Sequence, residues 1–281
     1  AQTGVAQVNS DLVALQRVND GLLRSRDGST NAATLLDERD RLIDQISSTI
    51  GVVPSFGAHG VATLRASGPG GDMLLDGPQV ATLSVTTAAN GSIGFGITPS
   101  TSGSLVPVTG TLAGLASASS SVATRRSDLD ALASSLAGDM NARHQAGVDA
   151  SGNPGLALFN IGAGAATLTA AALAPDQVAA GDGISANGNI LAFGGMRGAT
   201  GAEAGWASLV SVHAQATAAA RAQEAASSVR RDGAFAARSQ VSEIDLDREA
   251  AELLRYQQAY EAAARTIQVA KETMQTIFNI F

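Results

Sequence analysis

Four carboxylates stand close together near the start of the chain: Asp37, Glu38, Asp40 and Asp44. A pair of carboxylates is the usual machinery of glycoside hydrolysis. Here Arg39 and Arg41 alternate with the acids, and Asp37 stands four residues before Arg41, the spacing of an ion pair on a helix. The pattern therefore favours a solvated, ion-paired helix face. If this face has a function, we expect it to be a contact between subunits.

The remaining residues with chemical potential are isolated from one another. The chain contains no cysteine, which excludes thiol catalysis and thiolate metal sites. His144 has no second histidine near it in sequence, and His59 and His213 are equally solitary. A histidine alone on a helix is more often a hydrogen-bonded structural residue than a general base.

Two glycine-containing loops resemble ligand loops only in part. Asp149, Ser151 and Asn153 have calcium-loop spacing, but Gly152 comes too early and no closing glutamate follows. The stretch 162–164 lacks the lysine and the further glycine of a phosphate loop. The sequence thus predicts turns here, and it predicts no catalytic residue, no cofactor and no metal site.

Composition excludes several further classes of protein. The formal net charge is −7, and Lys271 is the only lysine, so the basic patch of a nucleic-acid-binding protein is absent. No apolar run reaches the length of a membrane span. Aromatic residues make up only 4% of the chain, so the core must be built from small side chains on closely packed helices.

Hydrophobic periodicity divides the chain into alternating helical and β-rich parts. The predicted parts are residues 1–51, a helical hairpin; 52–110, a β-rich insert projecting from the helices; 111–147, a long helix; 148–202, a β-rich or loop insert; 203–240, a helix; and 241–281, a C-terminal heptad helix. We expect an α+β fold: an elongated rod of long helices, bundled or coiled-coil-like, with β-rich inserted domains.

Local signals support these boundaries. Val5, Val8, Leu12, Leu15, Val18 or Asn19, and Leu22 form the stripe of an amphipathic first helix. Alternating residues on both sides of Asn90-Gly91 predict a β-hairpin. A short helix is expected after Pro175, and Gly233 with the preceding arginine pair is expected to end the helix that begins near residue 203.

The C-terminal helix carries a seam of apolar or small residues at alternating steps of three and four. Its members are Leu246, Ala250, Leu253, Tyr260, Ala264, Ile267, Ala270, Met274, Ile277 and Phe281, interrupted at Gln257. Such a seam on a helix of roughly 50 Å requires a partner. Packing onto its own domain is the less favoured alternative.

Three motifs resemble those of the bacterial flagellar rod, hook and hook-associated proteins. One comprises Ser239, Val241, Asp245, Leu246, Asp247, Glu249, Ala250, Ala251 and Leu254, then Tyr256-Gln257-Gln258-Ala259-Tyr260 with Ala263 and Ala264. A second, Leu35-Leu36-Asp37-Glu38-Arg39-Asp40 with Leu42, is similar to a block of the first hook-associated proteins. The third, Leu129, Leu132, Ala133, Asn141, His144 and Gly147, running into Gly152, Gly155 and Phe159, resembles the Asn-x-x-His-x-x-Gly helix end of that branch.

This resemblance implies a structural axial subunit joining hook to filament by self-assembly, secreted by flagellar type III export to the extracellular flagellum. The implied partners are further copies in a helical ring, the hook protein, a neighbouring hook-associated protein on the filament side, and an export chaperone on the C-terminal helix. Residues 1–15 lack the family's start motif, so we expect a chain truncated at its front.

Two groups of residues are expected at the assembly interface. They are Leu246, Leu253, Leu254, Tyr260, Ile267, Met274, Ile277, Phe278 and Phe281 on the terminal helix, and Asp37, Arg39, Asp40 and Arg41 in the acidic block. Two alternatives stay open: an exported hydrolase using two of the carboxylates, and a soluble adaptor that docks its C-terminal helix on a partner.

Overall fold

The computed structural model describes residues 1–68, 71–99, 103–199, 201–242 and 246–278, without the side chains of 241–242, 246–249 and 276–278. The chain divides into two compact units, Ala1–Leu209 and Val210–Phe281. Helices and antiparallel strands occupy separate stretches of the first unit, so the α+β prediction is confirmed.

Helices α1 (Gln2–Arg24) and α2 (Thr30–Thr49) form the expected helical hairpin. Ser29 caps α2, where its hydroxyl accepts a hydrogen bond from the Ala32 N–H at 3.2 Å. Gly28 adopts a φ of +73° in the connecting turn, a conformation that glycine tolerates best. The stripe predicted for α1 is buried, and it faces Leu42, Ile43, Ile46 and Ile50.

Two antiparallel sheets follow the hairpin. The first contains β1 (Val52–Phe56), β2 (Ala62–Ala66), β3 (Met73–Asp76) and β4 (Gln79–Val80) in that order, and the second contains β5 (Thr82–Thr87), β6 (Ile93–Thr98) and β7 (Ser104–Leu105). β5 and β6 form the hairpin predicted around Asn90-Gly91, with Leu83 opposite Ile97. One face of each sheet is apolar and buried.

A single hydrophobic core joins the hairpin, both sheets and the start of the next helix. Leu12 of α1, Leu64 and Leu75 of the first sheet, Ile97 of the second and Leu112 belong to one buried cluster. The segment 52–110 was expected to project from the helices as an insert. Instead its strands cover the face of α1 that α2 leaves open, because neither sheet has a second sheet to bury its apolar side.

Two asparagines on α1 bind the backbone of the sheets. Asn19 donates to the Ala62 carbonyl at 2.7 Å and accepts from the Ala62 N–H at 2.9 Å. Asn9 makes the same pair of bonds with Leu83, at 2.9 and 2.8 Å. Each amide satisfies one donor and one acceptor on a strand, so the sheets are fixed to α1 by hydrogen bonds as well as by packing.

The long helix α3 (Thr111–Gln145) begins where the sequence predicts it. After it, the described chain is mainly irregular, with the short pair β8 (Phe159–Asn160) and β9 (Thr169–Ala170), the helix α4 (Gly188–Ala192) and three 3₁₀ turns. One of these turns, Pro175–Gln177, is the short helix expected after Pro175.

Two long helices complete the described chain, α5 (Ala202–Ser242) and α6 (Leu246–Phe278). The predicted end of α5 at Gly233 is wrong, because the helix continues nine residues further to Ser242. A glycine inside a helix costs only about 1 kcal/mol relative to alanine, and the flanking alanines have high helix propensity. No helix in the described part of the chain is both long and apolar enough to span a membrane.

Candidate assembly interface

The terminal helix α6 presents an exposed apolar stripe. Leu253, Tyr260, Ile267 and Met274 follow one another at steps of seven residues, and between 57 and 81% of each is exposed. Tyr256, Ala263 and Ala270 complete the intervening positions of a heptad seam. The stripe therefore has the pattern of a coiled-coil surface, and the described residues do not cover it.

The residues predicted on this helix fall into two groups. Leu253, Leu254, Tyr260, Ile267 and Met274 lie on α6 with exposed side chains. Leu246, Ile277 and Phe278 also lie within α6, but their side chains are outside the described part, and Phe281 is outside the described residues altogether. For all of them, a role in assembly stays a prediction.

In the acidic block, Arg39 lies within the fold instead of on the surface. Only 12% of its side chain is exposed. Its guanidinium donates to the Gly60 carbonyl at 2.6 Å, bonds Asp40 Oδ1 at 2.7 and 2.9 Å, and stacks 4.4 Å from the centre of the Phe56 ring. Arg39 thus joins α2 to the 3₁₀ turn Ala58–Gly60 by a charged hydrogen bond and to β1 by a cation–π contact.

The ion pair expected between Asp37 and Arg41 is not formed. Arg41 binds Glu38 instead, with both carboxylate oxygens accepting, at 2.6 and 2.7 Å. This bidentate pair holds the pKa of Glu38 below its ordinary value and raises the pKa of Arg41. Asp37 and Arg41 are exposed, and 45% of the Asp40 side chain is exposed as well. For the four predicted residues of the block, a contact with a neighbouring subunit stays a prediction.

His144 has the structural role that its isolation in the sequence predicts. It is 2% exposed, and its Nε2 accepts from the Ala179 N–H at 2.8 Å. Its Nδ1 therefore carries the proton and donates to the Leu156 carbonyl at 2.6 Å. Because both ring nitrogens are bonded to backbone groups, the imidazole holds two loop segments together and is not free to act as a base.

Asn141 and Gly147 extend this arrangement on both sides of His144. Asn141 Oδ1 accepts from the N–H groups of Leu158 and Phe159, and its amide donates to the Phe159 carbonyl. Gly147 packs so closely against Asn189 that a Cβ would overlap the Asn189 amide. The Asn-x-x-His-x-x-Gly motif therefore fixes the chain that follows α3 to the end of that helix.

Several acidic side chains in the described part of the chain bind structural partners. No group of three His, Asp or Glu side chains in the described ranges is placed to hold a metal ion. Asp40 and Glu38 each bind a neighbouring arginine. Asp149 accepts backbone hydrogen bonds from Ser151 and Asn153, which close a turn, as the sequence predicts.

Residues 238–280 match the family model of the flagellar basal body rod FlgEFG protein C-terminal, which places α6 in the class of flagellar axial proteins. Residues 1–159 match the model of the flagellar hook-associated protein FlgK helical domain. Since that match covers more than half of the 281 residues, the chain belongs to the FlgK family of flagellar hook-associated proteins. The family expected from the three motifs is confirmed.

One solved structure similar to this chain is that of the flagellar hook junction protein FlgK from Burkholderia pseudomallei, at 29% identity and a TM-score of 0.46. The match covers 57% of this chain and 30% of that one, so the chain corresponds to under a third of that protein's length. No curated protein matches the chain.

Proposed function

We propose that this chain is part of a structural subunit that joins the flagellar hook to the filament and assembles through its C-terminal helix. One observation carries the proposal: α6 exposes four large apolar side chains at heptad spacing. Burying each such side chain stabilises an assembly by roughly 1.5 to 3 kcal/mol. A stripe of this kind therefore supplies enough free energy to hold a subunit in a ring.

The family gives the proposal its setting. Membership of the hook-associated proteins supports export by the flagellar system and a place in the extracellular flagellum. We propose further copies of the chain, the hook protein and a filament-side hook-associated protein as its neighbours, and an export chaperone on α6 before assembly. Asp37 and Arg41 are proposed as additional contacts between subunits.

No reaction is part of this function. His144 uses both ring nitrogens to bind the backbone, and the carboxylates of Glu38 and Asp40 are engaged with arginines. These contacts disfavour the hydrolase alternative, because His144, Glu38 and Asp40 already have structural partners.

Sedimentation velocity of the full chain over a range of concentrations tests the proposal. Ile267→Ser, in the stripe, should weaken self-association. Val269→Ser serves as the matched control, because Val269 is similarly exposed on α6 but lies outside the heptad positions. If both variants self-associate as strongly as the wild type, the stripe has no role in assembly.

A further inference from the structure

The chain contains four methionines, all of them among the described residues, and one differs from the others in its surroundings. Met73, Met140 and Met196 are half-buried, the first on β3 and the other two in the lining of one groove beside α3. Met274, on α6, is 65% exposed. Met274 is therefore the methionine whose side chain solvent reaches most freely.

Met274 is also a member of the apolar stripe on α6. It follows Ile267 by seven residues, which corresponds to about 10 Å along the helix. The seam position between them is Ala270, whose methyl group adds little apolar surface. Among the described side chains, the apolar character of this end of the stripe thus depends mainly on Met274.

A methionine thioether reacts with peroxides to give a sulfoxide. The sulfur attacks the hydroxyl-bearing oxygen of a hydroperoxide, the O–O bond breaks, and the sulfur keeps that oxygen. The proton of the transferred oxygen passes to the leaving oxygen, which departs as water or an alcohol. The sulfur is oxidised by two electrons and the peroxide is reduced by two. Since the chain has no cysteine, no thiol competes for the oxidant.

The sulfoxide changes what position 274 contributes to an interface. An apolar, flexible side chain becomes polar, with an oxygen that accepts hydrogen bonds. Placing such an oxygen in an apolar seam without a donor is unfavourable. The flanking side chains of the stripe, those of Ile267 and Ala270, have no donor to offer. Oxidation therefore turns a favourable contribution to association into an unfavourable one.

We propose that Met274 is an oxidation site, at which a hydroperoxide converts the thioether to the sulfoxide and thereby weakens assembly through α6. The proposal rests on the proposed self-assembly through the stripe, and it adds a chemical modification that acts on the free subunit. In an assembled subunit the stripe is covered, so the same side chain is shielded from the oxidant. Methionine sulfoxide reductases reverse the modification, so the effect on assembly is reversible.

Limited treatment of the dilute full chain with hydrogen peroxide tests the site. Peptide mass spectrometry should find the sulfoxide at Met274 before it appears at Met73, Met140 or Met196, because Met274 is the most exposed. Raising the protein concentration until the chain associates should slow the oxidation of Met274 and leave the rate at Met73 unchanged. Earlier oxidation of one of the half-buried methionines would overturn the proposal.

Sedimentation velocity measures the consequence for assembly. The oxidised chain should self-associate on the order of tenfold more weakly than the untreated chain, and reductase treatment should restore the association. Met274→Leu keeps an apolar side chain of similar size without the sulfur, so it should associate like the wild type before and after peroxide. Met140→Leu is the matched control, since it retains Met274 and should stay sensitive. Equal losses in the wild type and Met274→Leu would overturn the proposal.

The outcomes separate this proposal from the proposed function. If the sulfoxide at Met274 leaves association unchanged while Ile267→Ser weakens it, the proposed effect of oxidation is wrong and assembly through α6 stands. If neither the sulfoxide nor Ile267→Ser affects association, both are wrong.

Discussion

Helices α1 and α6 carry the same sequence pattern and have opposite surroundings. In α1, Val5, Leu12 and Asn19 alternate with Val8, Leu15 and Leu22 at heptad spacing, and the five apolar residues are each at most 5% exposed. In α6, the corresponding heptad residues are at least 57% exposed. Periodicity therefore predicts that a helix face needs a partner, but it does not say whether the partner lies in the same chain.

The difference arises from what each helix has next to it in sequence. α1 is followed by a short turn and a second amphipathic helix, then by two sheets that each need one face covered. The partners of α1 therefore belong to the same chain and are close to α1 in sequence. α6 follows α5, whose composition is dominated by alanine and supplies few large side chains. A stripe without a local partner is suited to binding another molecule.

Truncating one leucine in each helix should have different effects on the stability of the monomer. Leu12→Ala should lower the free energy of unfolding by about 2–5 kcal/mol, because it opens a cavity in the shared core. Leu253→Ala should change the stability of the monomer by no more than about 0.5 kcal/mol. Urea denaturation in dilute solution measures both. A similar loss in the two variants would mean that α6 is packed against its own chain.

Asn19 and Asn9 hold α1 against the two sheets by hydrogen bonds to backbone groups. Asn19→Ala should cost about 2–3 kcal/mol, because it leaves the N–H and carbonyl of Ala62 without partners in the interior. Asn9→Ala should cost less, since Asn9 is only partly buried and water can enter the space that the shortened side chain leaves. Thermal unfolding of the two variants shows which substitution lowers the stability more. A larger loss of stability from Asn9→Ala than from Asn19→Ala would contradict the prediction.

The acidic block provides a smaller test within one helix. Arg39→Glu should destabilise the monomer by about 2 kcal/mol or more, because it removes the bond to Gly60 and the contact with Phe56. Arg41→Glu should leave the melting temperature nearly unchanged, since its pair with Glu38 is exposed. Equal melting temperatures for the two variants would return Arg39 to the surface role that the sequence suggested.

Local chemistry was sufficient to predict the hairpin of α1 and α2, the β5–β6 hairpin and the start of α3. Each depends on residues within a few positions, such as Ser29 at a cap or Asn90-Gly91 in a turn. The packing of the sheets against α1 was not predictable in this way. It depends on pairs such as Asn9 with Leu83, which are 74 residues apart.

The candidate site shows the same division. The seam of α6 follows from spacing alone, although its exposure does not, and the structural role of His144 followed from its isolation. The burial of Arg39 could not be predicted from the sequence, because Gly60 and Phe56 are distant in sequence and a charged residue among acids is usually solvated. Asn19 stands at an apolar position of the α1 stripe, and this was the sequence signal of the backbone contacts. Only the position of β2 beside α1 shows which backbone groups it binds.

The most direct test of assembly through α6 is a truncation after Ala264 in a motile strain that carries the change in its own copy. The truncation removes Ile267 and Met274 from the stripe and leaves the unit Ala1–Leu209 intact. We expect that unit to retain its circular dichroism and melting temperature, while the cells secrete flagellin without building filaments. Full-length filaments on cells carrying the truncated protein would contradict assembly through α6.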